Sequence, residues 1–455
     1  MTDQRPSIVW LRDDLRLADN PALTAAVTRG APVVVVYLLD EVSRGIRPLG
    51  GASKWWLHHS LVSLAADLAA RGATLVLRRG AAEVEIPKLV SETDAGAVFW
   101  NRRYGRSRDI DAALKSQLRD DGREVESFRA NLLFEPWTIT TQEGNPYRVY
   151  TQFWKSCLEQ GVARDPLDAP TSIRGFDAAS DDLDTGGLLP TKPDWAAGLR
   201  EHCAPGENNA HDRLEGFAND VLESYHRRDE PGIEATSGLS PHLRFGEISP
   251  LQIWHRLRGA LPREAQGNAA KFLGEVGWRE FNYNILFHSP ELHERNYRSA
   301  FDAFPWADTP EWEIDAWRHG KTGVPLVDAG MRELWQTGTM HNRVRMVTAS
   351  FLIKNLLVDW RVGEAWFWDT LVDADEANNP ANWQWVAGSG ADAAPYFRVF
   401  NPVLQAQKFD KGGRYIRRWV PELEAGEYPL EPIVDLAQSR RDALKAYDTM
   451  KATSG

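Results

Sequence analysis

Cysteine is almost missing from this sequence, with Cys157 and Cys203 its only two. Two thiols build no disulfide framework and supply no four-thiolate iron–sulfur cluster, so the chemistry does not rest on sulfur. Glycine-rich nucleotide loops are missing as well: no GxGxxG follows the first apolar run and no GxxxxGK[ST] occurs anywhere. Dinucleotide or triphosphate binding through a glycine turn therefore has no support. No apolar run reaches bilayer-spanning length, and the opening MTDQRPSIVW lacks the basic, apolar and small-residue order of a signal segment, so a cytoplasmic protein is expected. Positive charge is not in excess. A formal net charge of −11 argues against a protein that coats nucleic acid nonspecifically, but it leaves room for a local basic face.

What the chain does have is core material and tryptophan. Hydrophobic residues make up 43% and charged residues 26% of 455, with 19 Trp, a globular balance in a chain long enough for two domains. Over the first 130 residues, short β-branched runs (SIVWLR, PVVVVYLLD, ATLVLRRG, AGAVFWN) alternate with helical stretches such as NPALTAAVTRG. That alternation predicts an α/β domain with a parallel sheet over 1–130. A connector is expected over 131–205, because the part from Ile173 to Pro205 is rich in Asp, Gly, Pro and Thr and reads as solvated. From 206 to 455, segments such as AAKFLGEVGWREFNYNILF and VPLVDAGMRELWQTG carry helical spacing, so the second domain is predicted to be all-α.

Three stretches carry candidate chemistry. DADEANNPANWQW, residues 373 to 385, packs acids, amides and indoles together. It lacks the alternate ligand positions, turn glycine and final glutamate of a calcium loop, and it suits either a large planar ligand or a polar loop with core tryptophans. In KFLGEVGWREFNYN, Glu275, Trp278 and Arg279 fall at i, i+3 and i+4 on one helix face, as do Asn342, Arg345, Met346 and Ala349 in MHNRVRMVTAS. In TSGLSPHL, Thr236, Ser237 and Ser240 either hold a phosphate or cap a helix.

These pieces occur together and in order. TSGLSPHLRFGEIS, WREFNYNILF, WRHGKTGVPLVDAGMRELWQTGTMHNRVRMVTASFLIKNLL, DADEANNPANWQW and GADAAPYFRVFNP, with the N-terminal SIVWLRDDLRLADNPAL, resemble the photolyase and cryptochrome flavoproteins over essentially the whole chain. The resemblance implies an α/β antenna domain followed by a helical domain that holds FAD. It places Thr236, Ser237, Gly238, Leu239 and Ser240 along the diphosphate with Tyr225 nearby. Arg345 and Asp373 become an ion pair beside the isoalloxazine, Asp375 an acid at the ring, and Asn379 the amide facing the N5 edge. Phe272, Arg279, Asn342 and Ala374 complete the implied cofactor set.

The same resemblance separates repair from signalling. Asn379 is an amide as in repair enzymes, where plant cryptochromes typically carry aspartate. Glu275 matches the glutamate that bonds the lesion, and Trp278 and Trp385 match indoles that stack on it. Enzymes of (6-4) photoproducts place histidines where this chain has Asn342 and Met346, so cyclobutane pyrimidine dimers are the expected substrate, and bacterial class III enzymes the most similar subgroup. Trp383, Trp360 and Trp306 match a chain of indoles that carries electrons to the flavin. Arg279, Asn342, Arg343, Met346 and Arg398 join Glu275, Trp278 and Trp385 as expected DNA contacts. An antenna chromophore is expected, with methenyltetrahydrofolate before 8-hydroxy-5-deazaflavin. The arginines from Arg102 to Arg108 read as solvated charge, and a monomer without metal is expected.

Overall fold

The computed structural model describes residues 3–162, 164–259, 261–393, 397–429 and 431–454. Positions 394–396 of the GADAAPYFRVFNP motif lie outside the described residues. Strands β1 (Ser7–Leu11), β2 (Val33–Leu39), β3 (Leu75–Arg79), β4 (Ala97–Asn101) and β5 (Glu124–Phe128) form one parallel sheet in the order β3-β2-β1-β4-β5. Ser7 is in register with Val33 on one side and Ala97 on the other. Strands covered on both faces read as continuous apolar runs, which is why SIVWL, VVVVYLL and AVFWN show little alternation. Val9, Leu11 and Val33 pack against Trp55 and Leu61 of the helix Gly51–Ala69. Ile8, Trp10 and Val34 face the other way, onto Ile86, Leu89 and Leu114. Each such side chain contributes about 1.5 to 3 kcal/mol on burial.

The strand order reverses between β1 and β4, where sheets of this kind form a ligand crevice. Here protein side chains fill it. Asn101 donates from Nδ2 to Asp14 Oδ2 at 2.6 Å and to Asn20 Oδ1 at 2.8 Å. The buried Arg12 lies 4.3 Å from the centre of a Trp10 ring and pairs with Asp111 at 3.2 Å.

From Glu207 onward the described residues form helices and no strand. The helices Pro325–Thr337, Asn342–Ser350, Trp360–Thr370 and Asn378–Ala387 enclose a core that includes Trp317, Val327, Phe351 and Trp360, while the long helix Arg263–His288 packs Phe272, Val276 and Phe281 into a second cluster. Among the described residues, no helix is long and apolar enough to cross a membrane.

One expectation needs refinement and another correction. The stretch from Ile173 to Pro205 is largely exposed, as expected, but Ile173, Leu188, Ala196 and Leu199 pin it onto the α/β domain. These apolar residues are scattered among Asp and Gly without a period, so no pattern announced them. The Arg102–Arg108 cluster is not solvated. Arg102 pairs with Glu135 at 2.6 Å and Arg103 with Asp111 at 2.5 Å. Arg106 reaches Glu294 of the helical domain at 2.8 Å, and Arg108 donates to the Phe287 carbonyl at 2.6 Å. Further joints come from the loop after β1. Arg16 donates to the Gly246 carbonyl at 2.8 Å, and the Glu207 carboxylate accepts from Leu17 N and Ala18 N at 2.6 and 2.8 Å. Gly246 is required there, because a Cβ would fall 2.0 Å from the Asp13 carbonyl oxygen.

Candidate functional site

The TSGLS loop lies at the surface, with the Ser237 hydroxyl accepting from Leu239 N at 3.3 Å. No side chain caps the helix Ser240–Phe245, so the helix-cap alternative for these hydroxyls is not what forms. Leu239 is buried and anchors the loop, while Thr236, Gly238 and Ser240 are exposed. Gly238 has φ +64°, and a Cβ on it would fall 2.4 Å from the Arg213 guanidinium, whose Nε donates to the Ser237 carbonyl at 2.9 Å. Hydroxyls, a close backbone and a guanidinium together suit an anionic diphosphate. Arg213 was not legible in the sequence, because it lies 25 residues upstream of Gly238 with no motif to link them. Beneath the loop, Tyr225 and Phe272 are buried and meet edge to face at 5.4 Å.

The loop connects directly to the acidic segment. Ser240 donates from its hydroxyl to Asp373 Oδ2 at 2.6 Å, and Arg345 holds the same carboxylate through two bonds of 3.1 and 2.9 Å. A bidentate guanidinium fixes both the position and the charge of a carboxylate that is 5% exposed. Ala374 is buried, and its carbonyl accepts from Arg244 Nε at 2.7 Å. Asp375 caps the helix Asn378–Ala387, accepting from Ala377 N at 2.8 Å and from Asn378 Nδ2 at 2.7 Å. Asn379 donates from Nδ2 to the Glu364 carbonyl at 3.0 Å and to Glu364 Oε1 at 2.8 Å. Both acceptors are oxygens, so the amide nitrogen must face them and Oδ1 faces away, without a protein partner among the described residues. An ion pair, hydroxyls and a fixed amide oxygen fit the polar edge and diphosphate of FAD.

The face built from i, i+3 and i+4 spacing holds only in part. Glu275 does not pair with Arg279. It meets Arg228 at 3.2 Å, whereas Arg279 turns inward and donates to the Asn131 carbonyl at 2.7 Å. The tertiary acceptor at Asn131 wins over the helical neighbour, since a surface pair of this kind is worth only about 0.3 to 0.5 kcal/mol. Burial outweighs Arg228 and raises the Glu275 carboxyl above its ordinary range, although part of its side chain reaches solvent. Trp278 stacks on Tyr150 at 3.9 Å, and with Trp385 it lines one small cavity that also includes Asn282 and Asn382. Trp385 donates to the Asp392 carbonyl at 3.2 Å. Tyr150 is a second residue that the sequence did not single out, because the chain delivers it from the connector side.

Around this face, Asn342 is exposed at the first residue of its helix and Met346 is half-buried. Arg343 bonds Asp229 at 2.9 Å and lies over the Phe409 ring. Arg398 is exposed, and its carbonyl accepts from the buried Lys354 at 2.5 Å.

The three indoles form a graded series. Trp383 is 3% and Trp360 0% exposed, and Trp306 is half-buried. A Cβ on Gly363 would fall 2.1 Å from the Trp383 ring, which places that indole on the helix Trp360–Thr370 one turn from Trp360. Ala307 N donates to the Leu357 carbonyl at 3.0 Å, which brings Trp306 beside the start of the same helix.

Comparison with known proteins shows the family of the chain. The DNA photolyase family matches residues 7–171, and the FAD binding domain of DNA photolyase matches residues 272–427. The chain is 51% identical to the deoxyribodipyrimidine photo-lyase of Agrobacterium fabrum over 99% of both chains. It is 39% identical to Cryptochrome-1 of Arabidopsis thaliana over 92% of this chain and 63% of that protein. A crystal structure of a bacterial class III photolyase from Agrobacterium tumefaciens superposes with TM-score 0.94 at 50% identity, covering 99% of each chain. With an α/β sheet domain, a helical FAD-binding domain and these relatives, the chain belongs to the DNA photolyase and cryptochrome family.

Proposed function

We propose that this chain repairs ultraviolet-damaged DNA in a light-dependent reaction, splitting cyclobutane pyrimidine dimers as a deoxyribodipyrimidine photo-lyase. The observation that carries the reading is the convergence of Ser240 and Arg345 on the Asp373 carboxylate, together with an Asn379 amide held with its oxygen free. FAD, when bound, supplies the light-driven electron that opens the dimer and then takes it back, so no net oxidation occurs.

The chain's own residues set the stage for that transfer. Gly238, Ser237, Ser240 and Arg213 would hold the diphosphate, and Arg345 with Asp373 would fix the charge beside the ring. Trp278 and Trp385 would stack on the extruded dimer. Glu275 would hydrogen-bond the pyrimidine carbonyls, and its raised pKa is the direction that a protonated donor needs. Arg343 and Arg398 would contact the DNA backbone. Trp306, Trp360 and Trp383 would carry electrons inward from the surface.

We place the antenna domain at 1–130, the connector at 131–205 and the catalytic domain at 206–455. Methenyltetrahydrofolate, ahead of 8-hydroxy-5-deazaflavin, is the proposed antenna chromophore, and the protein is proposed to act as a cytoplasmic monomer without metal. The similarity to Cryptochrome-1 favours one other reading, a blue-light receptor without repair. Irradiating oligonucleotides that carry a single cyclobutane dimer, with the flavin chemically reduced, separates the two. Splitting by the parent, with a lower quantum yield in Glu275→Ala at saturating substrate, is expected. No splitting, or preferential reversal of (6-4) photoproducts, would reject the proposal.

A further inference from the structure

The α/β domain grips one helix of the flavin domain closely. The loop between β2 and the helix Gly51–Ala69 lies on the helix Trp360–Thr370. Trp368 donates to the Pro48 carbonyl at 2.9 Å and Gly51 N to Asp369 at 2.8 Å. A Cβ on Gly50 would fall 2.1 Å from the Trp368 carbonyl oxygen, so the two backbones touch. Within this clasp, Arg47 places its guanidinium 4.0 Å from the Trp368 ring centre and donates two bonds to Glu364, at 2.7 and 2.9 Å. Glu364 is 2% exposed, and it is the acceptor that orients Asn379. His293 faces the same pair, but burial lowers its pKa, so it supplies no counter-charge at neutral pH. Arg106 is engaged with Glu291 and Glu294.

We infer that Arg47, a residue of the antenna domain, is a positioning residue for the flavin site. It pins the Glu364 carboxylate through two bonds, and Glu364 in turn holds the Asn379 amide with Oδ1 toward the ring. This rests on the proposal that Asn379 faces the flavin N5 edge. A buried carboxylate that loses its only close cation takes a proton from solvent, because desolvation favours the neutral form. A protonated Glu364 can donate as well as accept, so the Glu364 carbonyl is left as the one unambiguous acceptor and the hold on the amide loosens. An Asn379 oxygen fixed toward N5 accepts a hydrogen bond that the reduced ring can donate and the oxidised ring cannot. Arg47 thereby favours the reduced cofactor from across the domain boundary.

The test uses the full-length protein with Arg47→Gln, Arg47→Lys, the double variant Arg47→Gln with Glu364→Gln, and Asp369→Ala. Asp369→Ala removes a contact of the same clasp without touching Glu364. Infrared spectra of Arg47→Gln should show a protonated-carboxyl band that is lost in the double variant and absent from Arg47→Lys and Asp369→Ala. In flavin-loaded protein, Arg47→Gln should lower the reduced-to-oxidised ratio at a fixed potential about tenfold, or about 59 mV for one electron. Arg47→Lys should restore most of the difference and Asp369→Ala should cause none. A missing carboxyl band, or an unchanged midpoint in a variant that shows the band, overturns the inference while leaving the flavin reading intact. Folded parent protein that binds no flavin refutes that reading, and this inference with it.

Discussion

Two places in this molecule look equally suited to a ligand, and they end differently. The crevice between β1 and β4 sits where open α/β sheets bind nucleotides, yet Asn101, Asp14 and Asn20 bond one another there and Arg12 is buried over Trp10. Burial, with a smaller push from Arg103 and against the pull of Asp111, brings the Arg12 guanidinium down to about 10. The loop at Gly238 has no such pedigree in fold position, but Thr236 and Ser240 are exposed there, and Asn379 keeps an acceptor free among the described residues. Donors and acceptors without protein partners mark the site better than topology does.

The comparison can be broken most forcefully at Asp373. Replacing it with Asn leaves Arg345 without its counter-ion, a loss of about 3 to 5 kcal/mol for a largely buried pair, and the purified protein should lose its flavin. Asn101→Leu, in the crevice, should lower the melting temperature but leave flavin content unchanged. If Asn101→Leu also empties the protein of flavin, the two regions are not independent. Flavin release on denaturation, measured alongside thermal melts, decides this.

A second contrast lies on one helix. Glu275 belongs to the open face, whereas Glu280 is 2% exposed and accepts from Leu133 N and Phe134 N at 2.9 and 3.1 Å. Burial raises the Glu280 carboxyl to about 7. An acid with a raised folded pKa binds more protons when folded, so its penalty is absent below the unfolded value of about 4.3 and complete above about 7. Between those limits the parent should lose stability relative to Glu280→Gln, on the order of 3 kcal/mol by pH 8, in chemical denaturation across that range. A constant difference with pH would show that Glu280 does not titrate there.

The smallest effect concerns the lesion face. Trp385→Ala should weaken binding of dimer-containing DNA by about 1 to 3 kcal/mol and leave undamaged DNA almost unaffected, as equilibrium titrations would reveal. Equal weakening of both would mean that Trp385 serves the fold or the backbone contacts instead.

The parallel sheet and the helical second domain were legible because strands β1 to β4 contain short apolar runs and the long helices carry their period. TSGLS and DADEANN were legible because their chemistry is concentrated in a few consecutive residues. Arg213, Tyr150, Arg47 and Glu364 were not, since each reaches the site through folding over long sequence separations and none stands in a motif. Local spacing also misled at Arg279, where a backbone carbonyl 148 residues away replaced the expected neighbour. The anchors of the connector were missed for the converse reason: scattered apolar residues carry no period, yet the α/β domain buries them.

The account's central claim is that the open loop at Gly238, and not the sheet crevice, takes the cofactor. Its most direct test is the flavin content of Gly238→Val, where a branched side chain would meet the Arg213 guanidinium and strain a backbone at φ +64°. The parent should release FAD noncovalently on denaturation, while the variant, still folded by circular dichroism and cooperative melting, should release little. A folded variant with full flavin content, or a folded parent with none, would contradict the account.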